Sequence, residues 1–195
     1  AFAAMQLFAG RLGVVAAASY GIAMTMLALM FMVALGLASA TSVRVGIAYG
    51  RRDRPDMALA GWVGLLTTMA VMFVLSAPLY LFPDAVAHLF TKDGAVILTT
   101  VSVLVLMPII FPTDGGQNAA INALRGAGDT WAPTILHLVS YLCIMIPVGY
   151  YLTFTQGMGV PGLFWGIVIA SLVAVSGLAI RFKIVSSRPI AAHTH

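Results

Sequence analysis

The sequence predicts an all-α, polytopic membrane helix bundle, with five complete spans and the end of a sixth. Three observations predict it. Hydrophobic residues make up 61% of the 195 residues and charged ones only 8%, with a mean hydropathy of +1.02. Soluble domains carry about 25% charged residues. The charges that exist fall in short clusters, separated by apolar runs long enough to cross a hydrocarbon core about 30 Å thick. Finally, Lys and Arg alternate by side. Arg44, Arg51, Arg52, Arg54, Arg125, Arg181, Lys183 and Arg188 share one face of the membrane, while Arg11 and Lys92 fall on the other. That bias places the second-to-third and fourth-to-fifth connections and the C-terminus in the cytoplasm.

Taken in order, Ala1 to Ala9 is too short to span and reads as the end of a helix, so the sequence is expected to be part of a longer chain. No basic head or cleavage site marks a signal peptide. After Gly10–Gly13 a long span runs from about Val14 to Tyr49, long enough to tilt or to project beyond the bilayer. Arg51-Arg52-Asp53-Arg54-Pro55-Asp56 breaks it, and Pro55 with Asp56 suits the first turn of the next helix. The third span is about Met57 to Phe82, followed by an amphipathic connection through Pro83, Asp84, His88, Lys92 and Asp93. The fourth begins at Gly94 and ends in Arg125-Gly126-Ala127-Gly128-Asp129-Thr130. The fifth is about Trp131 to Leu152, interrupted by Pro147, and the sixth about Val160 to Ile180. Residues 1–185 form one bundle and 186–195 a polar cytoplasmic tail. Small-residue spacings such as Gly162 to Gly166 read as helix-packing faces.

Several function classes drop out. The chain has one cysteine, Cys143, so it holds no internal disulfide and no Cys/His metal pattern. The net charge of +4 belongs to membrane-side loops, with no basic stripe for nucleic acid. No Ser/His/Asp set, zinc motif or P-loop is present, and Gly126-Ala127-Gly128 lacks the Lys-Ser or Lys-Thr of a phosphate cradle. An enzyme is not expected, nor a cofactor.

One stretch carries chemistry. Between Asp93 and Arg125 the only charged residue is Asp114. At 1.5 Å per residue it lies roughly 16 Å from Arg125, near mid-bilayer. A carboxylate there must face protein, water or a cation. Pro108 and Pro112 remove backbone donors just before it, Gly115 and Gly116 permit close approach just after it, and Gln117 and Asn118 add amides within a turn. An acid, loosened backbone and neutral oxygens at one depth suit a coupling-cation or proton site made of Asp114, Gln117 and Asn118, with Na⁺ as the candidate metal at Asp114. Around it, Tyr20, Met24, Arg44 and Tyr141 are candidate cavity residues. Arg44 also fits an interfacial anchor, Tyr150 and Tyr151 an aromatic belt, and His137 a packed, hydrogen-bonded histidine.

The blocks Asp114-Gly115-Gly116-Gln117 and Ala123-Leu124-Arg125-Gly126-Ala127-Gly128-Asp129-Thr130 closely resemble the tenth helix of MATE (multidrug and toxic compound extrusion) transporters. Gly36 to Gly46 is similar to the end of their eighth helix. The resemblance covers nearly the whole chain and points to the bacterial multidrug branch. It implies a twelve-helix protein of two lobes, of which this chain is most of the C-terminal one, partnered by an N-terminal lobe and a lipid bilayer in the bacterial inner membrane. It implies an antiporter that exports small cationic amphipathic compounds in exchange for Na⁺ or H⁺, with Asp114 binding the coupling ion. Where some relatives carry a tyrosine one turn before the acid, this chain has Ile110, and a His-Gln pair common early in helix eight is Ser19-Tyr20. Two other readings stand beside it. A lipid-linked saccharide flippase of the same superfamily would want deep Lys or Arg, which the spans lack. A non-transporting membrane scaffold would have no use for a mid-bilayer acid.

Overall fold

A computed structural model of the chain describes residues 1–187. Its helices are α1 (Phe2–Arg11), α2 (Val14–Gly50), α3 (Arg54–Leu81), the short α4 (Pro83–His88), α5 (Gly94–Leu104), α6 (Met107–Gly126), α7 (Trp131–Thr155) and α8 (Val160–Ser187). Among the described residues, α2, α3, α7 and α8 are each long and apolar enough to cross a membrane, and α5 with α6 makes a fifth, broken span. That agrees with five complete spans, with α1 as the short leading helix.

The fourth span differs from the single helix expected. It bends by 54° between α5 and α6. The cause lies at Pro108, the second residue of α6, which has no N–H for the carbonyl four residues back. At the break the Leu106 N–H turns instead to Val103 O, three residues back, at 2.9 Å. Pro112 stays inside α6 without a second break. In α7, Pro147 does not end the helix. A wide π-turn, Ser140–Met145, precedes it, and a second, Tyr151–Thr155, follows before the chain leaves the helix. The last helix runs past the expected Ile180 to Ser187, so Arg181, Lys183, Ser186 and Ser187 are helical. The rest of the expected tail, with Arg188, lies outside the described residues.

Burial follows the helical period. On α3 the enclosed residues are Met57, Gly61, Leu65, Thr68, Met72, Ser76 and Leu79, spaced by three and four. The opposite faces present Leu59, Val63, Leu66, Phe73 and Val74 outward, as lipid-facing residues do. The most polar span, α6, is the most enclosed: it packs against α2, α3 and α8. This ordering follows from a solvent with no hydrogen bonds to offer, in which polar groups find partners inside the bundle. Hydroxyls follow the same rule by bonding the carbonyl one turn back, as Thr41 does to Leu37 O at 2.9 Å and Thr68 to Gly64 O at 2.8 Å.

Close helix approach depends on missing side chains. A Cβ on Gly166 of α8 would lie 2.8 Å from Gly149 Cα of α7, and one on Gly162 would strike the Thr153 backbone, so the expected small-residue face packs α7 on α8. Gly115 and Gly116 serve the same end. They accept Met72 and Thr68 on one side and Met69 and Val175 on the other. They therefore fit α6 to its neighbouring helices, and the close approach expected from sequence is that of packed side chains.

The two connections expected in the cytoplasm share one construction. After α2, Asp53 N donates to Ala48 O and Arg52 N to Tyr49 O. After α6, Asp129 N donates to Leu124 O and Gly128 N to Arg125 O. Each is a Schellman ending, with a left-handed residue followed by an aspartate. Each aspartate then caps the next helix, Asp53 accepting from Asp56 N at 3.1 Å and Asp129 from Ala132 N at 3.4 Å. The left-handed residue is Gly128 (φ 82°) in one and Arg52 (φ 57°) in the other. A side chain costs about 1–2 kcal/mol in that conformation. Gly128→Ala is therefore expected to destabilise by about 1 kcal/mol, since the nearest atom to its new Cβ is 3.6 Å away and no clash adds to the backbone term. Arg52→Gly is expected to stabilise by a similar or smaller amount. Melting temperatures of the purified protein in detergent check both, and a fall for Arg52→Gly would refute the argument.

Candidate functional site

Asp114, Asn118, Ile121, Asn122 and Arg125 lie one turn apart along α6 and share one wall of a cavity of about 620 Å³. Facing them are Met24, Leu27, Ala28, Phe31 and Leu35 of α2 and Pro133, Thr134, His137, Leu138 and Tyr141 of α7. Phe2 and Ile167 complete it. The volume falls in the range of small-molecule sites, about 300–1,000 Å³. The α6 wall is thus polar, with its acid at Asp114, the α2 wall apolar and the α7 wall mixed.

The polar side chains form a connected set. Tyr141 Oη lies 3.3 Å from Asp114 Oδ1, 3.4 Å from Gln117 Oε1 and 3.1 Å from Ser171 Oγ. Gln117 Nε2 is within hydrogen-bond reach of His137 Nδ1, which therefore acts as acceptor. The His137 ring stacks on Tyr141, with centroids 4.5 Å apart and planes at 26°. Asn118 Nδ2 donates to Asp114 O at 3.0 Å and Asn122 Nδ2 to Asn118 O at 2.9 Å, which leaves their Oδ1 atoms for a cavity ligand. Among the described residues no Lys or Arg pairs with Asp114; the ion pairs are Arg44 and Arg51 with Asp56, and Arg181 with Asp129 at 2.7 Å. Asp114 is a half-buried carboxylate with one side-chain donor.

The residues singled out from sequence distribute as follows. Asp114, Asn118, Met24 and Tyr141 line the cavity. Gln117 lies beneath its surface, buried, and reaches the acid through Tyr141. Two cavity candidates fall elsewhere. Tyr20 is core: it is fully buried, packs on Phe164 at 5.5 Å and sends its hydroxyl toward Phe2 O. It shares the face of Met24 but lies a turn nearer the start of α2, where the Phe164 ring of α8 covers it. Arg44 lines a separate hollow of about 310 Å³ between α2 and α3, with Asp56 3.9 Å away, because it sits five turns beyond Met24 and at the end of the bundle. Sequence reasoning left out three partners. His137, expected as a packed, hydrogen-bonded histidine, is bonded to Gln117 and stacked on Tyr141, and it also lines the cavity, on the face its four-residue spacing shares with Tyr141. Ser171 and Phe2 carry no local signal, since α8 and α1 bring them in from far along the chain.

A metal centre of the Cys, His and carboxylate kind is absent among the described residues. The donors present are a single carboxylate with amide and hydroxyl oxygens, which suits a hard monovalent cation better than a divalent one.

Comparison with known proteins agrees with the architecture. The MatE family model matches residues 1–151. A probable multidrug resistance protein NorM of Caulobacter vibrioides is 38% identical over 188 residues, which cover 96% of this chain and 40% of that protein. Multidrug resistance protein NorM of Burkholderia vietnamiensis is 35% identical over 98% of this chain and 42% of its own length. The crystal structure of the eukaryotic MATE transporter AtDTX14 superposes with a TM-score of 0.83 at 19% identity, over 94% of this chain and 43% of that one. A MOP superfamily transporter from Pyrococcus furiosus does so with 0.84 at 17%, over 98% and 42%. The chain thus spans about two-fifths of the length of these relatives. The matched length, the identity across it and the shared helical arrangement agree, and the chain belongs to the MatE family of membrane transporters.

Proposed function

We propose that this chain is the C-terminal lobe of a secondary antiporter that exports cationic amphipathic compounds from a bacterial cell in exchange for Na⁺ or H⁺. The observation that carries the reading is Asp114: a carboxylate with no basic partner among the described residues, on the wall of a cavity of ligand size. A lone carboxylate in an apolar bundle has a standing demand for a cation. It meets that demand with the coupling ion; Asn118 supplies a neutral oxygen beside it, and Gln117, behind the wall, acts on the acid through the Tyr141 hydroxyl. The facing wall of Met24, Leu27, Phe31 and Leu35 takes the apolar body of a cargo. The names of the NorM relatives, as multidrug resistance proteins, support the substrate class. Among the described residues the cavity holds one Lys or Arg, Arg125, roughly 16 Å along α6 from the acid. A single peripheral arginine favours cationic cargo over a pyrophosphate-linked lipid. Transport itself follows from this lobe rocking against an N-terminal lobe of the same protein in the inner membrane.

Two outcomes test the assignment in cells that express the intact transporter. Asp114→Asn keeps the shape and removes the charge. Losing one member of a desolvated charge pair costs about 2–5 kcal/mol, so dye efflux should fall about thirtyfold or more at equal expression. Undiminished efflux would mean that Asp114 is structural. Phe31→Ala should instead raise the KM for an aromatic cationic dye by about five- to thirtyfold, the loss of about 1–2 kcal/mol of apolar contact, and leave the cation dependence of efflux unchanged. A shift in cation dependence with no change in KM would remove Phe31 from the cargo wall.

A further inference from the structure

Tyr141 is placed where one hydrogen has more acceptors than it can serve. Its Oη is within reach of three oxygens, and two of them, Asp114 Oδ1 and Gln117 Oε1, only accept. A phenol has one hydrogen, so it satisfies one of the two at a time. The third oxygen, Ser171 Oγ at 3.1 Å, can donate to the phenol oxygen. Ser171 is fully buried on α8 and fixes where that oxygen sits. The π-turn that begins at Ser140 and the stacked His137 ring fix the rest of the side chain. The heavy atoms are held while the hydrogen remains free to choose.

Charge decides the choice. Toward an empty, ionised Asp114 the hydroxyl makes a charge-assisted bond, roughly twice as strong as a neutral one. A cation seated on Asp114 draws off the same lone pairs and repels the hydrogen. The hydroxyl then turns to Gln117 Oε1, whose amide nitrogen is already committed to His137. Both arrangements satisfy the phenol, so the bundle moves between them without leaving a buried hydroxyl unpaired.

We propose that Tyr141 is the positioning residue of Asp114: a one-hydrogen switch between the carboxylate and Gln117 that stabilises the empty site and so weakens its hold on a sodium-sized cation enough for release. This rests on Asp114 being the coupling-ion site. It makes a prediction opposite to that for a ligand. Removing the hydroxyl should tighten cation binding, because the empty carboxylate loses its only side-chain donor among the described residues while the filled one loses little.

The test is sodium binding to the purified intact transporter at one fixed pH, by isothermal titration calorimetry, for the native protein, Tyr141→Phe, Tyr141→Met and Asp114→Asn. The expected result is that Asp114→Asn abolishes binding and that both Tyr141 variants bind sodium about tenfold more tightly, the worth of one hydrogen bond to a charged group. Dye efflux by the same variants should show a kcat several-fold lower, with KM for the dye unchanged. Weaker sodium binding in Tyr141→Phe would make its oxygen a direct ligand and overturn the switch. Unchanged binding and kcat would make Tyr141 structural and overturn it too. A native protein that binds no sodium, yet loses efflux on Asp114→Asn, overturns the switch and leaves the transport reading standing. If Asp114→Asn retains both sodium binding and efflux, the two fall together.

Discussion

The structure depends on one constraint: the carboxylate of Asp114 has to be kept among helices that offer it almost nothing. Hydrocarbon supplies no hydrogen bonds, so a polar span can exist only if other spans enclose it. That requirement puts α6 in the middle, against α2, α3 and α8, and turns the apolar faces of α2 and α3 outward. It also explains why the enclosure is incomplete. Walling in the acid entirely would demand a basic partner, and among the described residues none is supplied. The cavity lies where the enclosure is left open.

Bringing three helices onto α6 needs closeness, and the chain obtains it by subtraction. Gly115 and Gly116 receive methionine side chains from α3, while Gly126 sits against the backbone of Ser42 and Gly46 in α2. The ends are then locked. The paired Schellman endings reverse the chain within a few residues, and Asp129 joins the α6–α7 turn to Arg181 of α8. Within the Leu-Arg-Gly-x-x-Asp-Thr block, Asp129 has a mechanical reading: it accepts from the Ala132 N–H and pairs with Arg181, while Arg125 lines the cavity. The acid can be positioned finely because the turn at the other end of its helix is fixed.

Much of this was legible in the sequence, for a physical reason. In a bilayer, hydropathy reports the helix count directly, because the solvent tolerates few alternatives. The same holds for Asp114, since a mid-span acid has no innocuous place. What escaped was geometry at the scale of one side chain. Tyr20 and Tyr141 are chemically alike, and nothing local says that one faces α8 and the other the acid. The bend before Pro108 was legible as a weakness but not as 54°. Gly115 and Gly116 beside an acid read as room for close approach by another backbone or a ligand; that Met72 and Met69 take the room is revealed only by tertiary packing. Gln117 lies beneath the wall and reaches the acid only through the Tyr141 hydroxyl, a route that no local pattern announces.

The phenol beside the acid shows how chemistry can persist while its address changes. In the resemblance to MATE transporters, some relatives place a tyrosine one turn before the acid, where this chain has Ile110. Ile110 is fully buried and contributes no oxygen. Yet a phenol stands 3.3 Å from Asp114, delivered from α7 by a π-turn. A position-by-position comparison would score the site as having lost its hydroxyl. The physical requirement was never for a residue at a position. On the proposed reading it is for a donor that can stabilise an empty carboxylate and withdraw when a cation arrives. Any helix that reaches the cavity at the right depth can meet it, and a wide turn on α7 does so while keeping the rest of that helix packed on α8. Residues that hold a site in working order are therefore best sought by what lies within hydrogen-bond reach of the charge, and only afterwards by alignment.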